Sequence, residues 1–361
     1  MKVGILTFQA TSNYGACLQC TALTQMVNLL GAECETINYR CENIVKREIK
    51  IPLLSLGIKK FPIQVLISIY RRLKSQIIKK FIAKNCALSE TIYDKSNIVS
   101  ANNKYDAFIS GSDIIWELYV TGADYTYFLD FVKDKSKKYS FSSSFGYRFI
   151  PEEFLPKVKK YLGEYQQISV RENEGADIIK GLLSKDVKVT VDPTLLFDGG
   201  YWTKMEEPYK LEKQKYILLY FDDVEHNSMK FAQKLAKKEN VPVIYLRDYP
   251  GFRKYENVKN IVNVSVGQFL WLIHNALYVI TASYHGVLFS INFNTPFFYF
   301  NRAHQGRINT IVDNLGIEDR NIADLNDCNS EIVWNKVNGK LSTLRNDSIQ
   351  YIKNIILKEN P

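Results

Sequence analysis

VITASYHGVLFSINFNTPFFYF, residues 279–300, is apolar for most of its length and breaks at Ser283, Tyr284, His285 and Gly286. Residues 278–281 have the length and apolar content of a buried strand. From 285 to 293 the pattern reads as a helix, and 297–300 as another strand. A strand that turns through a few polar residues into a helix, then resumes as a strand, is a β-α-β unit, and such units build parallel sheets.

The same rhythm runs through the rest of the chain. Strand-like runs fall at 3–8, 33–39, 107–110, 139–142, 168–170 and 187–191, with a helix at 15–30 between the first two. PEEFLPKVKKYLGEY predicts a further helix, with Pro151 suited to a first turn and Glu152 and Glu153 to the positive end of the dipole. After Gly199 and Gly200 the rhythm restarts, with strands at 216–221 and 241–246 and helices over SMKFAQKLAKKEN and VGQFLWLIHNA. With 361 residues and 46% hydrophobic composition the chain can fill two cores. The expected fold is α/β, two Rossmann-like domains with parallel sheets over 1–200 and 201–361. The closing LSTLRNDSIQYIKNIILKEN is expected to be a helix that packs back on the first domain.

Several classes are excluded. No apolar run reaches the length of a membrane span, and the N-terminus turns polar by Gln9, unlike a signal peptide. A cytoplasmic location follows as the expectation. The six cysteines are scattered, and Cys17 and Cys20 fall inside a helix with no second pair at zinc spacing, so neither a disulfide framework nor a metal site is expected.

The formal charge is +9, from 47 basic and 38 acidic residues. Nine cations between 50 and 84 account for the whole excess: Lys50, Lys59, Lys60, Arg71, Arg72, Lys74, Lys79, Lys80 and Lys84, with no acid among them. They interleave with Leu, Ile, Val and Phe, which predicts a basic amphipathic helix after Pro62. Such a helix either covers core with a solvated face, or lies on an anionic membrane surface or cradles an anionic substrate. No nucleic-acid motif accompanies it, and no nucleic-acid partner is expected.

Ligands of open α/β sheets sit beyond the carboxyl ends of the strands, so the strand-end turns carry the candidates. The first offers Asn13, Tyr14 and Gly15 and lacks the G-x-G-x-x-G fingerprint of dinucleotide enzymes. The second, Ser110-Gly111-Ser112-Asp113, places a carboxylate that either caps the next helix or serves a ligand. Ser142, Ser143, Ser144 and Gly146 occupy a third, where serines bind phosphate or satisfy turn amides. Arg171 follows a short strand and suits a carboxylate or phosphate, or else an ion pair with a nearby Glu. Asp192 before Pro193 either positions a basic residue or makes a turn, and reads as structural. His285 lies at a strand-to-helix passage, where Gly286 lets a neighbouring backbone or a ligand approach. Arg302 and Arg307 follow the next strand.

Taken in order, NYGACLQCTAL, GSDIIWE, FSSSFG, SVRENEG, VDPTLL and ITASYHGVLFSINFNTPF resemble the motif series of the polysaccharide pyruvyl transferase family, over most of the chain. The resemblance implies a two-domain GT-B-like fold with the active site in the interdomain cleft. It implies an enzyme of polysaccharide (exopolysaccharide or capsule) biosynthesis, one that moves a pyruvyl group from phosphoenolpyruvate to two sugar hydroxyls, forms a cyclic ketal and releases phosphate. No cofactor is implied beyond phosphoenolpyruvate as co-substrate, and no metal.

On this reading the donor is bound by Arg171, Ser283, His285, Gly286 and Arg307, and His285 and Asp113 are catalytic. The acceptor side comprises Asn13, Tyr14, Gly15, Asp113, Ser143 and Ser144. The implied acceptor is a sugar or a polyprenyl-diphosphate-linked oligosaccharide, with segment 50–84 holding the enzyme peripherally at the inner face of the cytoplasmic membrane. The alternatives are a GT-B glycosyltransferase using a nucleotide sugar and a non-catalytic carbohydrate-binding assembly protein.

Overall fold

A computed structural model describes residues 1–49, 61–221, 227–248, 255–300, 306–322 and 331–358. The chain begins with β1 (Lys2–Leu6), α1 (Tyr14–Leu29), β2 (Glu33–Tyr39), α2 (Glu42–Ile49), α3 (Phe61–Asn85), β3 (Leu88–Tyr93), β4 (Ala107–Ser110), α4 (Leu118–Thr121) and β5 (Lys138–Ser140). Then follow α5 (Leu155–Leu162), β6 (Ser169–Val170), α6 (Asn173–Leu183), β7 (Lys188–Val189) and α7 (Gly199–Thr203). The remaining elements are β8 (Ile217–Tyr220), α8 (Asn227–Glu239), β9 (Val243–Arg247), β10 (Val258–Val262), α9 (Val266–His274), β11 (Tyr278–Thr281), α10 (Tyr284–Phe293), β12 (Phe297–Tyr299), α11 (Gly306–Leu315) and α12 (Trp334–Leu357).

Two five-stranded sheets have the same strand order, β3-β2-β1-β4-β5 and β10-β9-β8-β11-β12, and every pairing is parallel. In the first, Val3 lies opposite both Cys34 and Ala107; in the second, Ile217 lies opposite both Val243 and Tyr278. The central strands are buried on both faces, as crossover helices require, and so read as continuous apolar runs. Each sheet has its own core, with Leu6, Phe108 and Trp116 in one and Leu219, Val243 and Ile280 in the other. β6 and β7 form a small parallel pair.

Two strands escape the sequence pattern. β3 and β10 are sheet edges whose residues alternate irregularly between buried and exposed, so neither shows an apolar run. The other strands fall within a few residues of the runs that predict them.

The chain divides into two compact units. The first comprises Met1–Arg47, Lys79–Leu196 and Gly339–Pro361; the second comprises Glu48–Ile78 and Phe197–Asn338. The restart at Gly199 therefore lies close to a real division. Most of α12 belongs to the first unit, where Arg345 Nε donates to the Leu195 carbonyl at 2.6 Å and Ser348 Oγ accepts from Val191 N at 3.0 Å.

Residues 50–60 of the basic segment lie outside the described residues, and α3 spans the rest. Its first part belongs to the second unit, not to the first domain as the sequence pattern suggests. Lys74 explains why: it is buried, and its Nζ meets Asp248 Oδ1 at 2.6 Å. One of the nine cations is thus spent on an internal ion pair.

Candidate functional site

In the first unit the turns after β1, β4 and β5 are stitched together by buried polar groups. Gln19 Nε2 donates to Thr7 Oγ1 at 2.8 Å, and Thr7 Oγ1 donates to the Ser112 carbonyl at 2.9 Å. Gly111 has φ +136°, and a Cβ there would lie 2.1 Å from the Phe141 carbonyl oxygen, so only glycine allows the strand-end turn to pass the next strand. Asp113 follows with φ 75°, a conformation Asp tolerates better than most residues.

Asp113 is not a helix cap. Glu117 caps α4, accepting from the backbone N of Tyr119 at 3.0 Å and of Val120 at 2.6 Å. Asp113 Oδ1 instead accepts from Ile114 N at 2.8 Å and faces Arg171, whose Nη2 lies 3.5 Å away.

Arg171 is the centre of this constellation. Its side chain is fully buried and reaches three carboxylates. Nη1 donates to Asp192 Oδ2 at 3.0 Å, while Nε lies 3.8 Å from Glu172 Oε2, a Coulombic rather than a hydrogen-bonded approach. Asp192 also accepts from the backbone N and hydroxyl of Thr194. Glu172 accepts from Ser144 Oγ at 2.6 Å. With three carboxylates around one guanidinium, the group holds acids in place; an anion arriving at Arg171 would meet a net negative surround.

The serines are equally engaged. Ser143 and Ser144 are fully buried, and Ser143 Oγ donates to the Ser110 carbonyl at 2.8 Å. They complete the turn rather than present hydroxyls to solvent. Asn13 is exposed and caps α1, accepting from Gly15 N at 2.8 Å and Ala16 N at 3.3 Å, while Tyr14 and Gly15 are buried in the first helical turn.

The second unit holds the other group. β11 ends at Thr281, and Ser283 caps α10 by accepting from Gly286 N at 3.3 Å. Thr281 Oγ1 donates to the Tyr220 carbonyl at 2.6 Å and accepts from Ser283 N at 2.9 Å, which fixes the turn. A Cβ on Gly286 would lie 2.6 Å from that same hydroxyl. What comes close to Gly286 is therefore the Thr281 side chain.

Tyr284 and His285 occupy the first turn of α10, with rings 5.3 Å apart at 75°. His285 is 7% exposed, at the positive end of the helix dipole. Arg307, in the first turn of α11, lies 5.8 Å from the Tyr284 ring centroid, within cation–π range. A histidine and an arginine thus enter two helices that follow adjacent parallel strands, a setting suited to an oxyanion. Arg302 lies outside the described residues.

Sequence reasoning singles out Arg171 and His285 and leaves open an ion pair of Arg171 with a nearby Glu. Asp192, which reads as structural, makes the shortest ion pair with Arg171 among the described residues, at 3.0 Å. Glu172, the next residue along the chain, is the nearby Glu of that alternative. The approach of Asp113 and Asp192 depends on pairing across β6 and its neighbours, which local pattern does not reveal.

The repeated 3-2-1-4-5 sheets define a two-unit Rossmann-like fold of the GT-B kind. A UDP-GlcNAc 2-epimerase from Neisseria meningitidis, solved with UDP-GlcNAc, shares it at 12% identity and a TM-score of 0.50, over 99% of this chain and 100% of that one. A UDP-GlcNAc 2-epimerase from Methanocaldococcus jannaschii is similar at 11% identity and a TM-score of 0.45, over 95% and 91% of the two chains. No curated protein matches the sequence significantly. The family model for polysaccharide pyruvyl transferase matches residues 13–304, and the chain belongs to that family.

Proposed function

We propose that the protein transfers a pyruvyl group from phosphoenolpyruvate to two hydroxyls of one sugar in a polysaccharide or its lipid-linked precursor. The observation that carries this reading is His285, buried at the N-terminal turn of α10 next to Tyr284, whose ring Arg307 approaches, in a chain of this family.

The chemistry explains which groups are needed. A proton adds to the methylene carbon of phosphoenolpyruvate and leaves an oxocarbenium-like centre at C2. One sugar hydroxyl adds there and loses its proton to a base. Phosphate departs, the second hydroxyl closes the ring and gives up its proton. Acid, base and cationic stabilisation are all required.

In this proposal His285 supplies the proton or grips the phosphate, with Arg307, Ser283 and the α10 amides on the donor. Asp113 is the base for the acceptor. Arg171 acts as a positioning residue that holds Asp113, because its guanidinium already faces three carboxylates. Tyr119, Tyr147 and Phe149 expose ring surface on the same unit and offer apolar faces to a sugar. The cap role of Asn13 leaves its amide nitrogen for an acceptor hydroxyl.

Peripheral membrane association is part of the proposal. Arg71, Arg72, Lys79, Lys80 and Lys84 are exposed on α3, with Ile69 and Leu73 exposed beside them, which suits an anionic leaflet. Among the described residues no helix is long and apolar enough to cross a membrane.

The test is incubation with phosphoenolpyruvate and lipid-linked oligosaccharide from the native host, in ordinary and deuterated water. The expected product carries a ketal whose methyl group holds one solvent deuterium. A product formed from a nucleotide sugar, with phosphoenolpyruvate unchanged, would contradict the proposal.

A further inference from the structure

Beyond the ends of β2 and β3 the first unit holds a cavity of about 560 Å³. Arg40 follows β2 directly and Asp94 follows β3, so the cavity occupies the place where open parallel sheets take ligands. It is separate from the Arg171 constellation and is joined to the turn after β1 by Gln9, whose Nε2 donates to the Tyr39 carbonyl at 3.0 Å.

Three cations, Arg40, Lys46 and Lys95, and three acids, Glu42, Asp94 and Asp124, line this cavity. Asp124 is buried and accepts from the Tyr39 hydroxyl at 2.7 Å, with Lys95 Nζ 3.6 Å away. Glu42, also in the lining, pairs with Lys46 along α2. Asp94 turns to Ser96, accepting from its backbone N at 2.8 Å and its hydroxyl at 2.5 Å. Each acid is thus engaged. Arg40 is half-buried, and no carboxylate of the described residues lies within ion-pair distance of it. Burial lowers its proton affinity, with no acidic neighbour acting in the opposite direction.

A guanidinium drawn partly out of water without an acid is costly, unless something else supplies the counter-charge. Its planar fork matches an oxyanion with two oxygens. The space is large enough for a sugar unit, and Asn43 and Ser96 at its rim are polar groups suited to hydroxyls.

We infer that this cavity is a subsite for an anionic sugar, with Arg40 holding its phosphoryl or carboxylate group. Naming the sugar rests on the acceptor-side reading of the first unit, whereas the oxyanion follows from Arg40 alone. Binding is therefore measured apart from pyruvyl transfer.

The experiment titrates the full chain calorimetrically with inorganic phosphate, glucose 1-phosphate, glucuronate and glucose. It compares the wild type with Arg40→Gln, Arg40→Lys and His285→Ala. For the charged sugar that binds best, Arg40→Gln is expected to weaken affinity about tenfold or more, Arg40→Lys less, and His285→Ala hardly at all. Preference for glucose 1-phosphate marks a phosphoryl group and preference for glucuronate a carboxylate; both support the subsite. Equal affinity in wild type and Arg40→Gln, equal binding of glucose, or dependence on His285 alone overturns it. If Arg40→Gln does not fold, phenylglyoxal labelling of the wild type decides. The charged sugar should slow modification of the Arg40 peptide, and an unchanged rate overturns the inference.

Discussion

His285 and Arg171 look alike in the sequence, each placed at the end of a strand, but they do opposite work. His285 stands at the entrance of a helix beside Tyr284, whose ring Arg307 approaches. His285→Ala is expected to lower kcat by about 10²- to 10⁴-fold, as loss of a general acid does, with little change in thermal stability. Arg171 is buried among Asp113, Glu172 and Asp192, so Arg171→Met should destabilise the first unit by about 3–5 kcal/mol, measured by chemical denaturation. Arg171→Lys should retain part of that stability and lower kcat more than it raises KM for phosphoenolpyruvate. A large KM effect with normal stability would instead make Arg171 a donor ligand. The position of Arg171 at a strand end was legible in the sequence. A pair with a nearby Glu was legible too, but not the other two acids, because Asp113 and Asp192 come from separate turns.

At the scale of elements, the buried central strands and the β11–α10 passage were readable because hydrophobic runs and caps are local. The edges β3 and β10 were not, since half-exposed edge strands carry no continuous run. The α10 entry makes a sharp prediction. Gly286→Ala would push a methyl against Thr281 Oγ1 and cost about 1–3 kcal/mol, visible as a lower Tm of the second unit. Thr281→Ser should not restore it, because the hydroxyl that clashes remains.

In the first sheet, Glu35 on β2 accepts from Lys104 Nζ at 2.6 Å and the Tyr105 hydroxyl at 2.5 Å. Burial alone would raise its carboxyl, but those two donors outweigh it and hold it below the usual range. A depressed carboxyl stabilises the fold above its unfolded pKa, and the contribution is lost as pH falls through the folded value. Glu35→Gln should therefore lower stability near neutral pH by about 1 kcal/mol or less after solvent screening. Melting curves of the two proteins should converge in acid.

For the whole molecule, the +9 charge resolves into a largely balanced protein bearing one basic helix. Composition made that helix legible, but not that Lys74 would turn inward to Asp248. Its exposed cations are the ones available to a membrane. Replacing Lys79, Lys80 and Lys84 together by Glu is expected to reduce binding to phosphatidylserine vesicles at least tenfold in co-sedimentation, given roughly 1 kcal/mol for each cation near the leaflet. Unchanged binding would remove the membrane from the proposal without touching the reaction. The fold and family were legible because six motifs fall in order along parallel strands, and the family match spans residues 13–304. Charge partners across turns were not, since they exist only after the sheets assemble. The central claim is the reaction itself, and mass spectrometry of lipid-linked oligosaccharide incubated with enzyme and phosphoenolpyruvate tests it most directly. The account predicts one pyruvyl ketal per modified sugar and one phosphate released for each, with neither formed by His285→Ala; unmodified oligosaccharide and intact phosphoenolpyruvate with the wild-type enzyme would contradict it.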